Sequence, residues 1–568
     1  MTLPPGTTSS ESPPPPDSSE RLASTARTAS PTQAELARRP KARSDHPLVV
    51  MLEKKSAPRC TFSGDRLVEI DLPAGTRVLY PRPPLEALKD VDAAIRFALN
   101  HPIQSEPLYA KLRPGMKVVI AIDDLSLPLP PMRRPDIRER VLGIVLPMLA
   151  DHGVDDVEIV IATSIHRRMT ADEVRHMVGD RVFKAYWPDR LYNHDAEDPK
   201  GMKLVGATDH GEVVELNRKA VESDLLIYVN LNLVPMDGGH KSVGVGLCGY
   251  RSLRAHHNPQ VMRECWSYMD PQASALATSV DRMGRLVEKA LNVFHIETTI
   301  NNRMFDQPLE FLHVNEDDWT GRQRAVFKGL SYTLSKLPQS ARQAIFQRVP
   351  SPYGVTGVFA GECEAVHART LERCTAQYLV PLRGQADILV CGVPYISPYN
   401  VNAFLNPLLV QVMAQGYLFN MYRGAPIVRK GGALIVFHPC TDFFDKEQHA
   451  PYVEFVHDVL PQTRDGMVMH QKFEESFANN PAYLEMYRKG HAYHPAHPFF
   501  MWYWGEAARQ HLGRVIVVGA DNDYIPKLLG WETARNITEA LLMAQGSKRD
   551  PEITMLHVPP IVMADMTV

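Results

Sequence analysis

Short, almost unbroken apolar runs separated by stretches of helical spacing constrain this chain more than any other feature. Residues 117–123 (KVVIAID), 156–163 (DVEIVIAT) and 224–234 lack the alternation of a strand with one wet face, so they read as strands buried on both faces of a parallel sheet. Between the first two, Ile137, Val141, Ile144, Val145 and Met148 recur at helical spacing. Together these pieces form a βαβ unit, whose crossover is expected to be right-handed. The pattern returns at 386–393, 433–438, 514–520 and 552–558, interleaved with helical stretches at 401–416 and 533–545. In the last of these, Ala534, Ile537, Ala540, Leu541 and Ala544 share a face. The expected fold class is α/β, with two α/β domains, mainly parallel sheets and the functional site in the cleft between them.

The remaining segments set the expected boundaries. Residues 1–48 include TTSSESPPPPDSSE and hold too few apolar groups to repay the entropy of ordering, so a disordered tail is expected. The first α/β domain is then expected at 49–300, a helical insertion and linker at 301–379, and the second α/β domain at 380–568. Lys and Arg number 62 against 65 Asp and Glu, a net charge of -3, which offers nothing to draw the chain onto nucleic acid or anionic lipid. Seven scattered cysteines without a CxxC pair suit a reducing, cytoplasmic setting. The longest apolar runs, such as 225–234, fall short of the roughly 20 residues needed to span a bilayer, and no membrane association is expected.

Chemistry-bearing residues gather just after the strands, where open α/β sheets bind ligands. They are Asp123-Asp124-Leu-Ser126, the stretch 162–170 with His166, Tyr192-Asn-His194-Asp195, Gly238-Gly239-His240-Lys241, and His256-His257-Asn258. Two glycines before a lysine let backbone N–H groups converge on an anion beside a nucleophilic amine; a plain turn with a solvated lysine is the alternative. His166 lies at a strand-to-helix turn, with Thr170 and Glu173 spaced as a capping box, a position suited to general base work. Gly244-Val-Gly246-Leu-Cys-Gly249 formally matches the dinucleotide fingerprint, and an NAD(P)-dependent oxidoreductase is one reading. His491, His494 and His497 recur every third residue, but Pro495 and Pro498 break the helix that would align them on a metal.

In this order, these stretches resemble the N-terminal domain of the lactate racemase family, the nickel-pincer nucleotide enzymes. The likeness is carried by VEIDLPAGTRVLYPRP (68–83), AIRFALNHPIQSEPL (94–108), KVVIAIDDLSLPLP (117–130), ATSIHRRMTADEV (162–174), YNHDAED (192–198), GATDHGEVVELNRKAVESDLLIYVN (206–230), GGHKSVGVG (238–246) and HHN (256–258). It thins through GVFAGECEAVHA (357–368) and ADILVCGVPYISPYNVNAFL (386–405).

The resemblance implies that Lys241 anchors a pyridinium mononucleotide through a thioamide, and that sulfur and carbon atoms of this cofactor bind nickel. It makes His257, 16 residues after the lysine, the protein's nickel ligand. Gly238 and Gly239 would cradle the phosphate, with Asp124 and Ser126 beside the cofactor. The implied reaction is proton-coupled hydride transfer at the α-carbon of a 2-hydroxy acid, with His166 as acid/base, and cofactor-assembly proteins are implied as partners.

The family's carboxylate-binding arginine, however, corresponds to Leu127, and its second catalytic histidine to Leu231. A glutamine and a lysine of its second domain correspond to Leu405 and Leu408. A lost guanidinium contact costs roughly 1.5–3 kcal/mol, so the expected substrate is larger and less polar than lactate. His240 is the candidate second acid/base. A non-catalytic relative that keeps the cofactor pocket is the alternative from a different class.

Overall fold

The computed structural model describes residues 46–126, 129–399, 402–546, 548–557 and 561–568. The expected tail up to residue 45, and Leu127, lie outside them.

Six strands build the first sheet, in the spatial order Val355–Gly361, Val293–Ile300, Leu225–Asn232, Lys117–Asp123, Asp156–Ala162, Leu191–Asn193. All neighbours run parallel except Val355–Gly361, which lies antiparallel on the edge. Leu225–Asn232 is buried at every residue, as its continuous apolar run demands. The crossover helix Ile137–Asp151 is N-capped by Asp136. The Asp136 carboxylate also holds buried Arg138 at 2.7 Å, and that guanidinium donates to the carbonyl of Asp124 at 2.7 Å. One ion pair thus fixes both the start of a helix and the end of a strand that carries site residues. Helix Ala171–Tyr186 opens with the anticipated capping box of Thr170 and Glu173, and kinks at Gly179.

The second sheet contains the expected parallel strands Ala386–Gly392, Val428–Phe437, Arg514–Val518 and Ile553–Leu556, and adds Glu532–Ala534, a strand where the helix expected at 533–545 instead begins only at Ile537. It also takes in two strands from the start of the chain. Arg77–Leu79 pairs parallel with Ile553–Leu556, and Val49–Met51 adds antiparallel beyond it. The partition expected at residues 300 and 380 therefore differs from the observed one. The first sheet runs on to Gly361, and the earliest strands belong with the last. Val355–Gly361 (VTGVFAG) falls within the range expected for the helical insertion and linker, and its two glycines interrupt the apolar run that would mark a strand. Helices Gly321–Lys336 and Gln339–Arg348 make the insertion itself mainly helical, as expected. No helix among the described residues is long and apolar enough to cross a membrane.

The insertion is tied to the second sheet by one buried carboxylate. Glu316 accepts from Arg59 at 3.0 Å, Tyr80 at 2.5 Å, His557 at 2.9 Å and the Cys60 N–H at 2.7 Å. Burial alone would raise its pKa, but the His557 imidazole and these donors hold it well below the usual carboxylate range. A carboxylate depressed in this way contributes stability that is full at neutral pH and is lost as pH falls below the ordinary range. Replacing one member of a buried ion pair strands the other, at a cost of roughly 3–5 kcal/mol. Glu316→Gln is therefore expected to lower unfolding free energy by about 3 kcal/mol at pH 7, toward the low end because Asp317 also pairs with Arg59. Urea titrations should show that difference shrinking below pH 4.

Candidate functional site

The buried strand Leu225–Asn232 ends in a tight loop that Asp237 organises, its carboxylate accepting from the N–H groups of Leu233 at 3.2 Å and Val234 at 3.1 Å. Gly238 and Gly239 follow with φ of 84° and 59°, in the left-handed region where glycine is unstrained. A Cβ at Gly238 would stand 2.1 Å from the Asn232 amide oxygen, so the turn tolerates no side chain there. Lys241 then opens the short helix Lys241–Gly246. Its ammonium sits 3.7 Å from Asp237 with the side chain 27% exposed, facing a cleft rather than bulk water.

That cleft, of about 590 Å³, is lined by Asp124, Ser126, His166, Gly238 and Lys241 together with Leu231. The loops after three strands thereby bring most of the anticipated residues to one place. His166 is oriented through Nδ1, which lies 2.9 Å from the Asp124 carboxylate and 2.8 Å from the Ser126 hydroxyl. With Nδ1–H committed to a carboxylate, Nε2 presents its lone pair. Burial pushes the Asp124 pKa upward, yet the His166 imidazole and the Ser126 hydroxyl and N–H pull it below the usual range, so it stays a carboxylate. Lys241 is the sole ammonium or guanidinium among the described residues lining the cleft.

His257 caps helix Tyr250–His256 and packs against Phe500 and Trp504, ring centroids 6.2 and 5.6 Å away. Its Nδ1 bonds to His256 Nδ1 at 2.6 Å. Burial first, then the neighbouring His256, Lys241, His166 and His497, drive its pKa well below the ordinary value. It is therefore a neutral imidazole electrostatically coupled to both Lys241 and His166. In the tautomer where His257 Nδ1 donates to His256, Nε2 is left as a lone pair, the state a metal needs.

Other anticipated residues fall elsewhere. The His240 imidazole bonds to Asp281 at 3.1 Å and lines a neighbouring cavity with Ser274 and His367, so it does not join His166 in the cleft. Gly244 and Gly246 lie inside the short helix instead of opening one directly off a strand, which removes the geometry behind the dinucleotide reading. Leu231 lines the cleft, whereas Leu405 and Leu408 are core residues at 5% and 0% exposure.

Sequence reasoning missed the segment that closes the site from the second sheet's side. Tyr487 donates to the Ser164 carbonyl at 3.1 Å, His491 contacts the Arg168 carbonyl at 2.9 Å, and His494 contacts Glu197 at 3.0 Å. The His497 ring meets that of His166 edge-on with centroids 5.6 Å apart. The three-residue histidine spacing is thus a set of contacts to the first sheet's loops, a signal that was visible but read as a failed metal site.

Residues 63–267 match the family model described as the lactate racemase N-terminal domain. Over this segment the chain is similar to the lactate racemase N-terminal domain. The lactate racemase of Thermoanaerobacterium thermosaccharolyticum is 27% identical over 172 residues, covering 29% of this chain and 37% of that protein. That of Lactiplantibacillus plantarum is 27% identical over 165 residues, covering 28% and 37%. The aligned segments thus span little more than a third of these relatives. The structure of the lactate racemase apoprotein from T. thermosaccharolyticum superposes with a TM-score of 0.55 at 19% identity, over 89% of this chain and all of that one, and supports the shared fold.

One buried acid offers a direct test of the site's electrostatics. Asp123 is pushed up to about 7 by burial, despite accepting from the Leu231 N–H, Asn230 and Tyr228. The folded protein then keeps a proton that the unfolded chain releases above about pH 4, so stability declines as pH rises from there to about 7 and levels off beyond. Infrared spectra should show a protonated-carboxyl band that titrates away near pH 7 and is missing in Asp123→Asn; no such band at pH 5 would refute the assignment.

Proposed function

We propose that this chain is a racemase or epimerase of 2-hydroxy acids that works with a nickel-pincer nucleotide anchored on Lys241. The observation that carries this reading is the placement of the Lys241 amine and the carboxylate-oriented His166 on one cleft, with the neutral, buried His257 electrostatically coupled to both. These residues fit the cofactor: a primary amine for the thioamide, an imidazole with an available lone pair for nickel, and a positive-φ glycine turn where a phosphate can approach backbone. When bound, the cofactor supplies a hydride acceptor and donor for the substrate's α-carbon.

The chain's own part is to manage the proton and orient the substrate. His166 Nε2 takes the hydroxyl proton, and Asp124, an ionised partner on Nδ1, stabilises the imidazolium that results. Leu231 gives the cleft an apolar wall where the family pattern has a histidine, and no guanidinium is among its described lining residues. A hydroxy acid with a bulkier, less polar substituent than lactate suits such a wall better, since a small carboxylate would be desolvated without a partner. Seven buried free thiols suit a cytoplasmic location, where cofactor-assembly proteins would load Lys241.

The core positions of Leu405 and Leu408 favour a second reading, a relative that binds the cofactor without turnover. Protein produced alongside the cofactor pathway is expected to show an added mass on Lys241 and about one nickel per chain. Lys241→Ala should lose both, and His257→Ala the nickel alone. Absence of adduct and metal from the wild type would rule out both readings. Incubating the loaded protein with single antipodes of α-deuterated 2-hydroxy acids separates them: a racemase inverts the centre and retains the deuterium, whereas the binding relative returns the antipode unchanged.

A further inference from the structure

Inversion at a carbinol requires a proton acceptor for each antipode, and only one is accounted for. Leu231 cannot ionise, and His240 is turned toward Asp281 in the neighbouring cavity. One imidazole that the sequence pattern did not assign reaches the site from the other sheet. His497 opens helix His497–Tyr503 and is fully buried. Its ring lies 5.6 Å from His166 at 86° and 5.2 Å from Tyr399 at 89°. Its Nε2 is buried without any hydrogen-bond partner. Leaving such an atom unsatisfied costs about 1–3 kcal/mol, which asks for a reason.

We propose that His497 is the second acid/base of this site, with Tyr452 setting its tautomer. This rests on the racemase reading above. His497 Nδ1 lies 2.5 Å from the Tyr452 hydroxyl, a group that both donates and accepts. With Tyr452 accepting from Nδ1–H, Nε2 holds a lone pair that can receive a proton, and the imidazolium so formed can deliver one; with Tyr452 donating, Nε2 carries its own proton and can only hydrogen-bond. His166 differs, because the Asp124 carboxylate only accepts and fixes one tautomer. Burial, and then the nearby His166, hold the His497 pKa well below its ordinary value, so it is neutral and able to accept. The bound cofactor would supply the acceptor and donor of the hydride, and the chain's part is the proton. The substrate O–H bond breaks toward the neutral imidazole, and the new O–H bond forms with a proton from the other imidazole, which starts the turnover as the imidazolium. The two imidazoles end with their protonation states exchanged, and conversion of the other antipode or exchange with solvent resets them. Since His497 lies beneath His166 and Tyr399, substrate entry parts the 487–497 segment from the loop at 164–168.

The test uses cofactor-loaded full-length protein and both antipodes of 2-hydroxy-4-methylpentanoate and 2-hydroxy-3-phenylpropanoate. His497→Gln should retain the Lys241 adduct, the nickel and the thermal midpoint, while conversion of at least one antipode falls 100-fold or more, within the range for a lost general acid or base. Tyr452→Phe should give a smaller loss, about tenfold. Conversion within threefold of wild type in His497→Gln overturns the inference and leaves the racemase reading intact. If loaded wild type converts neither acid, nitrogen-15 histidine spectra decide the matter. Saturating either acid should shift the His497 Nε2 signal together with that of His166, and an unmoved His497 overturns the proposal. Should His497→Gln fail to fold, His497→Asn and the same spectra of the wild type carry the test.

Discussion

A chain can hold several imidazoles and an amine in one cleft only if most of them are uncharged, and burial enforces this here. His257 and His497 both lie out of water with their pKa values driven down by burial, and neighbouring imidazoles lower each further. Among the described residues the sole carboxylate bonded to His166 is Asp124, which is in turn held ionised by that imidazole. The result is one oriented Asp–His pair beside two neutral rings, instead of a cluster of mutually repelling cations. Arg138 supports this arrangement from below by pinning the carbonyl of Asp124.

The closure of the site depends on contacts between the two sheets' loops. The segment from Tyr487 to His497 lies against 164–168 through hydrogen bonds to backbone carbonyls and ring contacts, with Arg488 adding an ion pair to Asp195 at 2.9 Å. Bonds to backbone atoms specify a loop's path more than its sequence, so this face can be retained while substrate-facing positions change. Leu231, which lines the cleft at the end of a strand buried throughout, illustrates the second half of that statement.

Much of this was legible in the residues because it is local. The runs at 117–123 and 156–163, the capping box at Thr170 and Glu173, and the glycine turn before Lys241 are each set by neighbours within a few positions. Lys241 and His257 were linked by family order; Lys241 lines the cleft, and His257 is coupled to it electrostatically. What was not legible depends on distant partners. Val49–Met51 and Arg77–Leu79 are only three residues long, and their pairing is decided by strand Ile553–Leu556 near the other end of the chain. His497 finds His166 only after two sheets have formed, and nothing within its own neighbourhood announces that meeting. His240 fails for the converse reason, since adjacency in sequence says little about which cavity a side chain enters.

The pairing of Arg77–Leu79 with Ile553–Leu556 also orders events at the ribosome. The six strands of the first sheet have all been synthesised by Gly361, so that half can assemble while translation continues. The opening strands have no such option. They emerge before the first sheet yet wait for a strand made after all six of its strands, and a nascent chain stalled before residue 553 leaves them exposed as unpaired edges for chaperones to shield.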